Sequence, residues 1–203
     1  MKPVRIAALA LLPVLVFAST AQAATHPITY KMRASAVGQT SEFTLDQTID
    51  ATAPATAAPN SAVAVVIDPA PNRVPSEASG YRVREIKNLV LRIPVPANST
   101  YRSVTLQGGS GLNSTPTAAL EGGNVVLKLA GPLAGGAAFE LPTLTLNLTA
   151  GASGAITTKL GGTSYSDAGL TFTAVVIAGI FPVNAPATGY PDPSPALTTT
   201  TIG

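Results

Sequence analysis

The stretch TLTLNLT at residues 143–149 decides the fold, because it alternates apolar and polar side chains without interruption. Leu144, Leu146 and Leu148 fall on one side of an extended chain, and threonine and asparagine fall on the other. Successive side chains of a β-strand point to opposite faces of its sheet. This period of two therefore predicts a strand with one buried face and one open face.

Strand-like patterns recur along most of the chain. Further strands are predicted at residues 28–36, 42–49, 62–67, 101–106, 125–129, 155–160 and 170–177. Turn-forming runs such as EGGN and AGASG separate them, and no segment has the period of an amphipathic helix. Short strands with this punctuation are typical of a sandwich. We predict an all-β protein with a single-domain antiparallel β-sandwich, Ig-like or related.

Two longer apolar segments, residues 89–95 and 137–148, contain Pro94 and Pro142. Proline has no N–H to donate to a sheet ladder. Each proline is therefore expected at an edge, at a bulge or at a change of sheet. A long strand that breaks at its proline and crosses between the two sheets would explain both Pro94 and Pro142.

The first 23 residues have the layout of a secretory signal peptide. Lys2 and Arg5 precede an apolar run at residues 6–17, and Ala21 and Ala23 form a small-x-small cleavage pattern. The run is shorter than the roughly 20 residues of a transmembrane helix. We expect cleavage near Ala23, a secreted or cell-envelope location, and no stable transmembrane anchor in the mature chain.

The expected organisation is a signal peptide at 1–23, a β-sandwich domain at 24–181 and a tail at 182–203. The tail is rich in proline and threonine. Its proline part is expected to lie extended along the surface. Residues 197–202 have strand propensity and are expected to pair with a sheet edge.

Charge and cysteine content exclude several functions. The chain has 12 Lys+Arg and 10 Asp+Glu, and loss of Lys2 and Arg5 with the signal peptide leaves 10 of each. Non-specific nucleic-acid binding needs a net basic surface, so no nucleic-acid partner is expected. The chain has no cysteine, which rules out disulfides, thiolate nucleophiles and thiolate metal sites.

The inventory of catalytic side chains is poor. His26 is the one histidine, and so close to the expected new N-terminus it is predicted to be a solvated residue. The turn that contains Ser164, Ser166 and Asp167 offers too few carboxylates for calcium. We expect no enzyme activity, no catalytic residue, no metal site and no cofactor.

Two other functions stay open. A glycan hydrolase needs only two carboxylates that face each other across a cleft, whereas carboxylates scattered at turns favour a binding protein. A carrier of an apolar ligand would need a lined cavity between the sheets.

A local excess of basic side chains lies around one predicted strand. Residues 82–102 contain one acidic residue, Glu85, and five basic ones: Arg82, Arg84, Lys87, Arg92 and Arg102. Arg82, Arg84 and Arg92 have the same parity, so we predict that they share the open face of a sheet and bind an anionic cell-envelope polymer or an envelope protein. The alternatives are protection of an edge strand or pairing with an acidic strand at residues 42–50.

Three stretches, LVLRIPVP at 89–96, TTKLGGTSYSDAGLTFTA at 157–174 and YPDPSPALTTTTI at 190–202, carry a resemblance. In them the chain resembles small secreted all-β proteins of unknown function from actinobacteria. The resemblance implies an exported or envelope protein with a sandwich-like fold and assigns no site residues. The oligomeric state is not predicted. The function expected from the sequence is that of an exported, non-enzymatic β-sandwich with a binding or structural role.

Overall fold

The computed structural model describes residues 21–36 and 38–203, and in these residues it contains β-strands and no helix. The predicted all-β antiparallel sandwich is confirmed. No helix that could span a bilayer occurs in these two ranges. Most of the proposed signal peptide, residues 1–20, lies outside the described residues.

Strands follow one another with short connections. Their bounds are β1 Ala21–Ala36, β2 Gln39–Pro54, β3 Thr56–Ala57, β4 Ala62–Pro69, β5 Asn72–Arg73, β6 Glu77–Ala78, β7 Tyr81–Pro94, β8 Ser99–Gln107, β9 Thr117–Glu121, β10 Asn124–Leu129, β11 Leu133–Ala134, β12 Ala138–Phe139, β13 Thr143–Ala150, β14 Gly154–Thr158, β15 Leu170–Ala178, β16 Phe181–Pro191 and β17 Thr198–Ile202.

One large antiparallel sheet contains twelve of these strands. Its order is β8-β13-β4-β2-β1-β16-β15-β7-β10-β9, and β6 and β11 also pair with β7. The two outer strands, β8 and β9, approach each other, so the sheet curls into a nearly closed, barrel-like sandwich. A small sheet pairs β12 with β5, and a third sheet has the order β14-β17-β3.

The stretch TLTLNLT forms β13, as its alternation predicts. Leu144 and Leu146 are completely buried, and they lie opposite Ile67 and Val65 of β4. Full burial of one such side chain stabilises the fold by about 1.5–3 kcal/mol. Period-two alternation on neighbouring strands therefore builds one continuous apolar interior.

Pro142 marks a change of sheet, which was one of its predicted uses. The preceding strand, β12, pairs with β5 in the small sheet, and the following strand, β13, lies in the large sheet. The long apolar segment at 137–148 is therefore divided into two strands, because proline cannot extend the ladder of either sheet. Pro94 is the last residue of β7.

The predicted tail at 182–203 requires a correction. Residues 181–191 form β16, which lies inside the large sheet between β1 and β15. Pro182 and Pro186 are tolerated because that part of β16 pairs only with β15, so a missing donor can face away from the ladder. Residues 198–202 form β17, which pairs with β14 and, in parallel, with β3. A strand is therefore present in the segment 197–202, but as the middle strand of the three-stranded sheet rather than as an addition to a sheet edge, and residues 182–191 belong to the large sheet rather than to an extended tail.

Candidate functional site

Three strand connections lie at one end of the sandwich, which we call the open end. They join β1 to β2 at Ala36 and Gln39, β6 to β7 at residues 78–81, and β15 to β16 at residues 178–181. Ile177 lies opposite Arg82, which sets the last two turns side by side. Residues 181–186 extend beyond the last pair that β16 forms with β1, so the β15–β16 turn projects past the end of that pairing.

A cavity of about 310 Å³ lies between the strands at the open end. Its wall consists mainly of apolar side chains, among them Phe43, Leu45 and Phe172. Exposed residues of the turns, Ser79 and Tyr81, also line it, so the cavity opens toward solvent at this end. The volume lies at the lower end of the range of roughly 300–1,000 Å³ that is usual for small-molecule pockets.

Two alanines help to create this space. Ala174 of β15 and Ala185 of β16 lie directly opposite each other, and both line the cavity. Leucine or isoleucine at two such inward positions would occupy much more volume. Sequence analysis did not identify these residues, although small side chains at inward positions were a visible signal.

Tyr30 is the buried phenol of the cavity wall, at 3% exposure. Burial raises its pKa above the ordinary value for tyrosine, because the charged form is poorly solvated there. The phenol therefore stays neutral at physiological pH. A neutral phenol can donate or accept a hydrogen bond, so it can meet one polar group of an otherwise apolar ligand.

The polar part of the wall is tied into its own hydrogen bonds. Asn72 Nδ2 donates to Gln47 Oε1 (2.8 Å) and to the Asp46 carbonyl (2.9 Å). Gln47 Nε2 donates to the Ala70 carbonyl at 2.8 Å. Among the described residues of the wall, Asp46 is the one carboxylate, and its Oδ1 accepts from Thr29 at 2.7 Å. The cavity thus combines an apolar interior with a polar rim in which Asn72, Gln47 and Asp46 already have hydrogen-bond partners.

The three arginines of the predicted basic face do not form one cluster. Arg82 and Arg84 are exposed at the open end. Arg92 lies eight residues beyond Arg84 along β7, which at about 3.3 Å per residue corresponds to at most about 26 Å. Its Nη1 donates to the Ala168 carbonyl at 3.2 Å and lies 3.8 Å from the Asp167 carboxylate. A binding role for these arginines stays a prediction.

Both alternative explanations of the basic excess disagree with the structure. Strand β7 pairs with β15 on one side and β10 on the other, so it is not an edge strand. The acidic strand is β2, and its Glu42 accepts from Arg33 of β1 at 2.8 Å rather than from the basic residues of β7.

The remaining candidates from sequence analysis have structural partners. His26 Nε2 donates to the Leu197 carbonyl at 2.9 Å, so this histidine is anchored between β1 and the segment before β17 rather than freely solvated. Thr163 Oγ1 donates to Asp167 Oδ2 at 3.0 Å, which closes the turn that was considered for calcium. No group of three or more His, Asp or Glu side chains that could hold a metal ion occurs in residues 21–36 and 38–203.

Comparison with known proteins identifies a solved structure that is similar to this chain in fold. No protein-family model matches the chain, and no curated protein matches it. A crystal structure with a similar fold is that of a protein from Corynebacterium diphtheriae, provisionally described as membrane anchored, with a TM-score of 0.53 and 16% sequence identity. The match covers 90% of this chain and 38% of that chain. Its source is an actinobacterium, the group to which the sequence resemblance pointed.

Proposed function

We propose that this chain is an exported, non-enzymatic binding protein whose interior cavity holds an apolar ligand. The observation that carries the proposal is the cavity of about 310 Å³ between the strands at the open end. Binding there would remove apolar surface of both the ligand and the cavity wall from water. Each Å² of apolar surface buried in this way contributes about 25 cal/mol to the binding free energy. Neutral Tyr30 would orient a ligand that carries one hydroxyl or carbonyl group.

The distribution of carboxylates supports binding rather than glycan hydrolysis. A hydrolase of that kind needs two carboxylates about 5–10 Å apart across the substrate. Among the described residues of the cavity wall, Asp46 is the one residue with a carboxylate. Elsewhere Glu121 and Asp192 form ion pairs with lysines, and Asp68 accepts from Thr143 at 2.6 Å.

Export belongs to the same proposal. The basic start, the short apolar run and the alanines before residue 24 support secretion to the envelope or medium. Cleavage after Ala23 would remove three residues from β1. The pairing of β1 with β2 from Ala24 opposite Ala51 to Ala36 opposite Gln39 would remain.

The test fills the cavity. The A174L/A185L variant places larger side chains at the opposed alanine pair, and A119L, on an exposed position of β9, is the matched control. Binding is measured by titration with 1-anilinonaphthalene-8-sulfonate and by organic extraction of the purified protein followed by mass spectrometry. Thermal unfolding of all three proteins reports whether they are folded.

We expect the unaltered protein and A119L to bind the fluorescent probe with equal affinity and to contain the same extractable molecule. A174L/A185L should lose at least tenfold in probe affinity while it still unfolds cooperatively. Equal binding by a folded A174L/A185L variant, or no binding by the unaltered protein, would reject the cavity as the ligand site.

A further inference from the structure

Bulky apolar side chains are exposed at the open end. The turn between β15 and β16 carries Ile180 at 84% exposure and Phe181 at 67%. Tyr81, on the neighbouring turn, is 37% exposed. In the described part of the chain the one other exposed large apolar residue is Leu120, at 46%, and it lies at the opposite end of the sandwich. Exposed apolar residues are therefore concentrated where the cavity opens.

The strand beside this turn supplies positive charge. Arg82 lies opposite Ile177, four residues or fewer from the exposed pair, and Arg84 follows it on the same face. Residues 73–87 contain four basic side chains, at positions 73, 82, 84 and 87, and two acidic ones, at positions 77 and 85, for a net charge of +2. Arg84 Nε is 3.9 Å from the Glu85 carboxylate, a distance too long for a hydrogen bond.

From these features we propose that the open end docks onto the surface of an anionic lipid bilayer. Ile180 and Phe181 insert among the acyl chains, Tyr81 lies at the level of the headgroups, and Arg82 and Arg84 contact anionic headgroups. Aromatic side chains with one polar end favour this interface. Basic residues near an anionic membrane surface add attraction that falls as salt rises.

The size and shape of the patch favour a bilayer over a protein partner. A stable protein interface buries about 800 Å² on each partner. Phe181 offers about 150–250 Å², as an aromatic side chain does, and Ile180 is smaller, so this narrow turn presents much less area than a broad face. The backbone of the turn is paired through Ala178 and Phe181, which limits the number of backbone polar groups that would leave water on insertion.

Docking onto a bilayer does not require a ligand in the cavity. The two activities would nevertheless support each other. The cavity opens between the same turns that would face the lipid. A bound apolar molecule could then exchange with the bilayer without crossing water. Vesicle binding and probe binding are separate measurements, so either proposal can fail while the other stands.

Vesicle sedimentation of the full chain tests the docking surface. The vesicles are phosphatidylcholine alone or phosphatidylcholine with phosphatidylglycerol. The variants are I180S/F181S and, as the matched control at the opposite end, L120S. R82Q/R84Q is compared with R92Q. All proteins contain the same residues 1–20, so differences between variants report the changed positions.

We expect I180S/F181S to lose at least tenfold in affinity for the anionic vesicles, and L120S to stay within twofold of the unaltered protein. R82Q/R84Q should weaken binding several-fold at low salt, and R92Q should not. Equal binding by I180S/F181S and L120S would overturn the proposal. Retention of vesicle binding by A174L/A185L would separate docking from cavity binding.

A fluorescence measurement gives a second, independent readout. The chain contains no tryptophan, so F181W introduces a single reporter. Its emission should shift to shorter wavelength when anionic vesicles are added, because the indole enters an apolar environment. L120W should not shift. An unshifted F181W spectrum in the presence of sedimenting vesicles would contradict insertion of the turn.

Discussion

The two ends of the sandwich use the same strand pattern with different results. At the end opposite the open end, which we call the packed end, Leu144 and Leu146 of β13 have no exposed surface. At the open end, Phe43 and Leu45 occupy equivalent inward positions of β2 but are only partly buried and face the cavity. Alternation therefore determines which side chains point inward, while side-chain size and sheet closure determine whether the interior fills.

The largest effect is expected from removal of residues 182–203. This deletion takes away β16, which joins β1 to β15, and β17, which covers the packed end. Strand β1 would lose one of its two partners, and Leu197 and Ile202 would leave the core. We expect no cooperative thermal unfolding of the shortened protein. A sharp transition in scanning calorimetry would contradict the joining role of β16.

A matched pair of leucine substitutions measures the contrast between the ends directly. Leu146→Ala removes a completely buried side chain and should lower the free energy of unfolding by about 2–5 kcal/mol. Leu45→Ala removes a partly buried side chain that already faces the cavity, and it should lower the free energy of unfolding by only about 1 kcal/mol. Urea denaturation of both variants provides the comparison. Equal losses would mean that the open end is as tightly packed as the other.

Much of this contrast could not be read from the sequence. Period-two alternation identified β13 and most other strands, and Pro142 identified a break between sheets, because both depend on local geometry. The sequence did not predict that residues 181–191 form a strand of the large sheet. Their prolines fit a strand only where one edge of that strand has no neighbouring strand, and which strands become neighbours depends on the tertiary fold. A cavity between the sheets was an open alternative, but its position could not be predicted, because strand pairing decides that Ala174 and Ala185 lie opposite each other.

The smallest effect concerns polar groups inside the packed end. Thr158 is completely buried, and its hydroxyl has no hydrogen-bond partner among the described residues. Thr158→Val removes that unsatisfied group with little change in shape and should raise stability by up to about 1 kcal/mol. Thr200 is the matched control, since it is equally buried but its hydroxyl donates to the Pro54 carbonyl at 2.6 Å.

Thr200→Val should therefore lower stability by about 1 kcal/mol, because it leaves the Pro54 carbonyl without its partner. Thermal melting of the two variants checks the opposite signs. Two shifts in the same direction would show that the unsatisfied hydroxyl of Thr158 is not what distinguishes these positions.

The pairing of β1 with β16 has a consequence for the order of folding. Tyr30 lies opposite Pro191, so β1 must wait for nearly the whole chain to emerge before its second edge is filled. Contacts between residues so distant in sequence slow folding, because the loop must close before the pairing stabilises it. During that delay an open strand edge invites pairing with other chains. Lys31 lies on this strand, and its partner Asp192 follows β16, so its charge would be unpaired and would oppose aggregation of the incomplete sheet until β16 arrives.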